Sequence, residues 1–487
     1  MGVSRIGRRR FLREGAAAAA TVLMGRRLAL AEAEETERAA RKPNLVFVFA
    51  DQWRAQATGY AGDPNAHTPN LDRLASESLC FTRAVAGCPV CSPYRASLLT
   101  GQYPLTHGVF LNDVRLSSGR AVSIADVYNA AGYHTAYIGK WHLDGSNRGA
   151  FIPRERRQGF QFWRGFGCTH NYPNSPYYAD DDPAKRTWEG YDAIAQTREA
   201  EAYIRQRAGS GPFVLFLSWG PPHNPYGTAP QPCRERFADR EIRLRPNVPA
   251  SLKDRAETDL RGYYAHLAAL DECIGALLRT LRETGLEENT LFVFTSDHGD
   301  MLFSQGQTRK QRPWDESILV PLLVRCPAVF GTQGRRVNMP VNASDLMPTL
   351  LGLSGLKAPD TVEGTDFSRV LRAGSEPGDG AALIACYAPF GEWTRQMGGR
   401  EYRGVRTARY TYVRTLEGPW LLYDNQADPY QQENLCSRPE HAGLQAELDR
   451  LLSRKLEETR DKFLPADEYI RQWGYKVDSS GTVPCVS

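Results

Sequence analysis

Leu291-Phe292-Val293-Phe294-Thr295-Ser296-Asp297-His298-Gly299 is a short apolar run, rich in aromatic and β-branched residues, that stops at side chains able to do chemistry. Three other stretches have the same construction. Leu45-Val46-Phe47-Val48-Phe49-Ala50 stops at Asp51-Gln52, Thr135-Ala136-Tyr137-Ile138-Gly139 stops at Lys140-Trp141-His142, and Phe213 to Trp219 leads to His223. Apolar runs without alternation mark strands covered on both faces. Helical patterns lie between them: Thr68-Pro69 opens one, Ser123 caps another, and Leu260 to Leu281 carries an apolar stripe closed by Gly285. Strands alternating with helices predict an α/β fold, a large mostly parallel sheet sandwiched by helices. In such a sheet the ligand crevice lies at the carboxyl ends of the strands, where all four polar clusters fall. A lone Asp or His after a strand is more often a cap or turn residue. Four clusters on four strands argue for a shared site.

The stretch Cys88-Pro89-Val90-Cys91-Ser92-Pro93-Tyr94-Arg95, running on to Gly101, adds a reactive side chain at the start of a short helix. Pro93 suits the first helical turn and Gly101 the exit. A group there faces unpaired amides and the positive end of the helix dipole, an environment that favours negative charge. Cys88 and Cys91 also form a C-x-x-C, readable as a redox pair or half a zinc site, but no second C-x-x-C completes a four-cysteine site and a redox pair leaves Arg95 unexplained.

Cys91-x-Pro93-x-Arg95 resembles the signature of the type I, formylglycine-dependent sulfatases of the alkaline phosphatase-like superfamily. In that family the cysteine is converted to formylglycine, whose hydrate is the nucleophile; Tyr94 stands where members more often have Ser or Ala. Gly139-Lys140-Trp141-His142, Pro222-His223-Asn224-Pro225 and Ser296-Asp297-His298-Gly299 resemble further motifs of the family. The resemblance implies catalytic roles for Cys91, Arg95, Lys140, His142, His223 and Lys310, with Arg309 and Arg312 as competitors for the last. Asp51, Gln52, Asp297 and His298 form a hard, oxygen-rich set suited to Ca²⁺ or Mg²⁺ rather than a soft metal. The resemblance implies a divalent cation there, Ca²⁺ with Mg²⁺ or Mn²⁺ as alternatives, completed by residue 91. Gln52 replaces a second Asp of many members and is shared with phosphonate monoester hydrolases.

The function implied is hydrolysis of a sulfate monoester on a sulfated carbohydrate, assisted by that cation and by a formylglycine-generating enzyme during maturation. The mechanism implied is attack at sulfur by one hydroxyl of the residue-91 hydrate, protonation of the departing alcohol by His223 or Lys310, and release of sulfate when His142 deprotonates the second hydroxyl. Two alternatives stand beside it: a phosphonate monoester or phosphodiester hydrolase using the same site, and a non-catalytic polyanion-binding protein in which Cys91 remains a thiol.

Residues 1–31 read as a targeting segment. Arg8-Arg9-Arg10-Phe11-Leu12 resembles a twin-arginine signal, Ala16 to Met24 is too short to span a bilayer, and Ala29-Leu30-Ala31 is a small-residue cleavage site. An exported, periplasmic or extracellular protein without a stable membrane span is expected; a retained tethering helix is the competing reading. The whole chain carries +4, and removing the leader's seven Arg and one Glu leaves −2. No polycationic surface results, which counts against nucleic acid as the ligand. The ten cysteines show no spacing framework, and consuming Cys91 leaves an odd number.

The expected organisation is a leader at 1–31, a linker at 32–42, a catalytic domain at 43–375, a smaller C-terminal antiparallel sheet plus helix at 376–465, and a tail at 466–487 packing on the body. Arg403 to Arg414 and Trp420 to Asp424 read as two strands joined by a Gly418-Pro419 turn, and Pro439 to Lys462 as a final helix. Arg148 to Asp182 and Pro225 to Pro249 are rim loops without a decodable motif. Tyr172, Tyr177, Tyr178 and Trp188 offer rings for stacking on a sugar or aryl group, or for internal packing.

Overall fold

The eight residues Asn44–Asp51 are all buried, and their side chains alternate between two cores. Leu45, Phe47 and Phe49 enter one; Val46, Val48 and Ala50 enter the other. A strand with apolar side chains on both faces needs cover on both, worth roughly 1.5–3 kcal/mol for each fully buried large apolar side chain. In this computed structural model, which describes residues 42–375 and 380–485, the cover on both sides is helical. The helices Cys91–Thr100, Ile124–Ala130 and Ala343–Leu353 contribute to the first core. Pro69–Ser76, Asp192–Arg207 and the long Lys253–Glu283 contribute to the second. The leader expected at 1–31 and the linker up to residue 41 lie outside the described residues. Among the described residues no helix is long and apolar enough to cross a membrane.

The main sheet has eleven strands: β1 (Asn44–Asp51), β2 (Leu79–Val85), β3 (His134–Lys140), β4 (Phe162–Phe166), β5 (Pro176–Ala179), β6 (Asp182–Thr187), β7 (Phe213–Pro222), β8 (Thr290–Ser296), β9 (Leu319–Arg325), β10 (Arg335–Val337) and β11 (Val341–Asn342). Its order is β10-β2-β9-β8-β1-β7-β3-β4-β5-β6, with β11 pairing β2. The five central strands β8, β1, β7, β3 and β4 are parallel. The pairs β8–β9 and β2–β9 on one side, and β4–β5 and β5–β6 on the other, are antiparallel. All four strands read from the sequence belong to the parallel centre, so Asp51, Lys140, His223 and Asp297 leave from one edge.

A second, antiparallel sheet runs β12 (Ala381–Cys386), β13 (Tyr402–Thr407), β14 (Tyr410–Thr415), β15 (Gly418–Asp424). The run expected as one strand over Arg403 to Arg414 is two, because the chain reverses at Ala408-Arg409. Thr407 Oγ1 accepts from Arg409 N and Tyr410 N there, a side-chain-stabilised turn that needs no Gly or Pro signal. The helix Ala442–Glu458 packs Leu448, Leu452 and Leu456 on Leu383, Val405, Tyr412 and Leu422. Its start is a separate 3-10 turn, Pro439–His441, and it stops short of the expected Lys462. Beyond it, the helix Ala466–Trp473 leads a tail across the main body, where Tyr475 donates its hydroxyl to Gly108 O at 2.7 Å.

Candidate active site

Two close backbone approaches set the site residues. Gly139 precedes Lys140 at φ 106°, and a Cβ there would lie 2.0 Å from Ser218 O; a Cβ on Gly299 would lie 2.0 Å from Glu316 O. Only glycine fits at either place. Gln52 (φ 74°), Asp113 (φ 63°) and His142 (φ 55°) are held in the left-handed region despite having side chains. Such strain is tolerated where the surroundings over-determine it, and functional sites are where it collects.

Cys91 is the first residue of the Cys91–Thr100 helix, whose exit residue Gly101 has φ 65°. Around its Sγ lie Lys310 Nζ at 3.3 Å, His298 Nε2 at 3.3 Å, Asp51 Oδ1 at 3.7 Å and Lys140 Nζ at 3.8 Å. Arg95, one turn on, is 1 % exposed and spends its guanidinium on the cluster. It donates to Asp297 Oδ2 at 2.9 Å, Asp51 Oδ2 at 3.2 Å, Ser218 Oγ at 2.7 Å and Lys140 O at 2.9 Å. Arg95 is therefore no helix-surface cation. Lys140 Nζ also donates to Asp51 Oδ2, at 2.5 Å. Burial opposes ionisation of Asp51, but Lys140 and, after it, Lys310 hold its carboxyl well below the usual range.

Burial, with Asp51 adding to it, pushes the Cys91 thiol up to about 12 despite the two lysines, and burial puts Cys88 at about 12 as well. A redox C-x-x-C needs a depressed thiol pKa. Both sulfurs here are protonated and poorly nucleophilic, which disfavours the redox reading. All ten cysteines are unpaired.

Lys310 is the basic residue of 309–312 that reaches Cys91. Its Nζ also lies 3.2 Å from Gln52 Oε1 and 2.7 Å from His223 Nε2. Arg309 turns to the Tyr226 hydroxyl, and Arg312 to the carbonyls of Lys310 and Glu392. His223 Nδ1 faces Asn224 O at 2.9 Å, so Nδ1 carries the proton and Nε2 accepts from Lys310. Burial, then Lys310, lowers the His223 pKa strongly and keeps the ring neutral. His142 is neutral too, lowered by burial; its Nε2 faces Asp113 Oδ1 at 3.2 Å and its Nδ1 has no partner.

Asp51, Cys91, Asp297 and His298 are all buried and offer ligand atoms within 4.8 Å of one another. Gln52 Oε1 is turned toward the same lysine that touches Cys91, while its Nε2 donates to Asp300 Oδ2 at 2.6 Å. Two carboxylates, an amide oxygen and an imidazole fit a hard divalent cation. Immediately around the Cys91 sulfur, Arg95, Lys140 and Lys310 outnumber Asp51 and Asp297, a local excess of positive charge.

The cavity beside Cys91 has a volume of about 170 Å³. Besides the expected Lys140, His142, His223 and Lys310, it is lined by Asn112, Asp113, Arg148, His170, Glu392 and Thr482. Asn112 Oδ1 accepts from Ser92 N at 3.0 Å, and Arg148 holds Asp113 through two bonds of 2.7 Å. His170 stacks on His223 at 4.4 Å, the planes 8° apart. Arg148 and His170 belong to the loop read as a rim; Asn112, Asp113, Glu392 and Thr482 had no motif around them. The other rim loop, Pro225 to Pro249, contributes instead to a separate groove with Arg243 and Arg245. The four rings are packing: Tyr172, Tyr178 and Trp188 are buried, and Tyr177 stacks on Trp188 at 3.9 Å. Tyr172 donates its hydroxyl to His223 O at 2.7 Å, bracing the histidine from behind.

Residues 43–356 match the family model of the sulfatases, and residues 306–460 that of the C-terminal part of N-sulphoglucosamine sulphohydrolase. An ulvan-active sulfatase of Formosa agariphila is 46 % identical over 437 residues, which is 89 % of this chain and 85 % of the relative. An endo-4-O-sulfatase of Bacteroides thetaiotaomicron is 33 % identical, covering 81 % of this chain and 88 % of the relative. The crystal structure of a putative sulfatase from Bacteroides fragilis superposes with a TM-score of 0.79 at 31 % identity, covering 88 % of this chain and 98 % of that one. A phosphonate monoester hydrolase of Agrobacterium radiobacter shares the fold, with a TM-score of 0.68 at 23 % identity over 85 % of this chain and 96 % of its own.

Proposed function

The chain belongs to the sulfatase family, whose members are sulfuric ester hydrolases, and from that premise we propose that it removes a sulfate monoester from a sulfated glycan through residue 91. The observation that carries this reading is the placement of Cys91 between Lys140, Lys310 and His298, at a helix start braced by Arg95. The glycan assignment is supported by relatives named as an ulvan-active sulfatase and an endo-4-O-sulfatase.

A thiol at position 91 with its pKa near 12 is a poor nucleophile, so the reading includes conversion of Cys91 to formylglycine by a formylglycine-generating enzyme. The hydrate of that aldehyde supplies one hydroxyl to attack sulfur and a second whose deprotonation releases sulfate. Asp51, Gln52, residue 91, Asp297 and His298 would hold Ca²⁺, with Mg²⁺ or Mn²⁺ as alternatives, adding positive charge where the sulfate oxygens bind.

The protein's own side chains carry the rest. Lys140 and Lys310 orient the sulfate and offset charge on its oxygens by preorganised electrostatics. Lys310 keeps its proton: burial works against its charge, but the carboxylates of Glu392 and Asp51 favour the charged form. Since His223 Nε2 accepts from Lys310, the pair holds one proton in the cavity for the departing alcohol oxygen. His142, neutral with an unpartnered Nδ1, is the base for residue 91, and Asp113 keeps the proton on Nε2. Arg95 positions Asp51 and Asp297.

The reading extends to export, with residues 1–31 as a twin-arginine leader, and to a catalytic part at 43–375 completed by the C-terminal part at 376–465. The test is release of inorganic sulfate from a panel of sulfated oligosaccharides, beside matched aryl sulfate, aryl phosphonate and phosphodiester substrates. Sulfate release with the highest kcat/KM is expected; preference for phosphonate or diester would replace the reading with the hydrolase that Gln52 also fits, and no turnover of any would favour a polyanion-binding protein.

A further inference from the structure

The wall of the cavity beside Cys91 contains a carboxylate oxygen with nothing to accept. Glu392 sits in the 3-10 turn Gly391–Trp393, half-buried, and lines the cavity near Lys310. Its Oε2 is shielded from solvent and receives no hydrogen bond. Lys310 Nζ lies 3.8 Å from Oε2, and Arg309 Nε lies 3.8 Å from Oε1. Both distances allow Coulomb attraction but exceed hydrogen-bonding range.

The turn is tied down from behind. Arg312 Nη2 donates to Glu392 O at 2.9 Å, Gln311 Nε2 donates to Phe390 O at 2.8 Å, and the Arg312 guanidinium lies 5.4 Å from the centre of the Trp393 ring. The two residues that follow Lys310 therefore hold the backbone that carries Glu392. The backbone beneath the carboxylate is fixed, and its Oε2 is left without a donor.

An unmet acceptor atom shielded from solvent costs free energy that an incoming donor recovers. The sulfate ester is drawn to Lys140 and Lys310, and on a sugar the carbons next to the ester carry hydroxyls. A hydroxyl donates to a carboxylate; a second sulfate has no proton to give and meets it charge against charge. We infer that Glu392 is a specificity residue, accepting a hydrogen bond from the free hydroxyl next to the sulfate ester on the same ring. It selects singly sulfated rings over rings sulfated at two adjacent positions. This rests on the sulfated-glycan reading given above.

The experiment compares the wild type with Glu392→Gln on methyl glycosides bearing one sulfate, each paired with the analogue that lacks the neighbouring hydroxyl and the analogue sulfated there. In the wild type, loss of the hydroxyl lowers kcat/KM by about 10- to 100-fold, the worth of a hydrogen bond to a charged group. In Glu392→Gln that penalty shrinks to about threefold or less, and discrimination against the disulfated analogue relaxes by about tenfold, as expected when the two changes are coupled. Each number is a ratio within one preparation, so partial loss of folded protein cancels. Equal hydroxyl penalties in the two enzymes would overturn the role of Glu392. If the wild type cleaves an aryl sulfate but none of the glycosides, the glycan reading falls and the assignment falls with it.

Discussion

Arg95 is the side chain on which two buried carboxylates depend. Within the fold it offers charge to Asp51 and Asp297 together, and it is closed off from water. Removing one partner of a buried ionic cluster leaves uncompensated charge, and Arg95→Met is expected to destabilise the protein by about 3–5 kcal/mol in denaturant titration. An unchanged midpoint would mean the cluster is solvated rather than structural. Asp51, Cys91, Arg95, Lys140, His142, His223, Asp297 and His298, which the fold brings together, could be picked out in the sequence because each stands near a strand end or within a short motif; Lys310 was implied by the resemblance alone, with Arg309 and Arg312 as competitors. Asp113, His170 and Glu392 could not be picked out. Each stands beside a neighbour that the fold brings from elsewhere in the chain: Asp113 at His142, His170 at His223, Glu392 near Lys310.

Among the elements, the four central strands were legible for a physical reason: burial on both faces forces short uninterrupted apolar runs. The strands flanking them were not. β2 carries Thr82 and Arg83 among its apolar residues, and β9 contains Pro321, a residue that argues against an interior strand. The helices show how burial also governs titration. Asp192 opens the helix Asp192–Arg207 fully buried, one carboxylate oxygen lacks a partner, and burial raises its pKa to about 7. A carboxyl whose pKa is raised in the folded state binds a proton more tightly there than in the unfolded chain. Its contribution is thus fully present below the unfolded value near 3.8 and is lost as pH rises through about 7. Asp271 and Asp345, each raised to about 6 by burial, act in the same direction. Asp192→Asn is expected to flatten the fall in stability between pH 4 and pH 8 by a few kcal/mol, of the order of 1.4 per pKa unit shifted. Denaturant titrations of both proteins at the two pH values measure it; parallel curves would show that folding leaves the Asp192 pKa where it is in the unfolded chain.

At the scale of the whole molecule, the main sheet supplies the charged core of the site and later parts of the chain supply its wall. Glu392 precedes the second sheet's β13, and Thr482 comes from the tail, whose Gly481 packs against Phe390. The Arg406–Asp315 pair, with two bonds of 2.9 Å, ties the second sheet to the chain just past Lys310. Contacts of such sequence separation leave no local pattern, which is why the tail's place at the cavity could be anticipated only as packing on the body. Ending the chain after Pro465 removes Trp473, which lies against Gly108, and Tyr475, which bonds to it. A loss of about 3–5 kcal/mol, as for deletion of a large aromatic side chain, is expected, together with a lower kcat/KM on sulfated sugars. Thermal unfolding and sulfate release read the two effects, and a truncated protein matching the full chain in both would place the tail outside the site.

The central claim is that the reaction runs through a modified residue 91. The most direct test is the mass of the peptide containing position 91, taken from active protein purified from its native host. The account predicts an aldehyde or its hydrate in place of the Cys91 thiol; an intact thiol in protein that releases sulfate at full rate would contradict it.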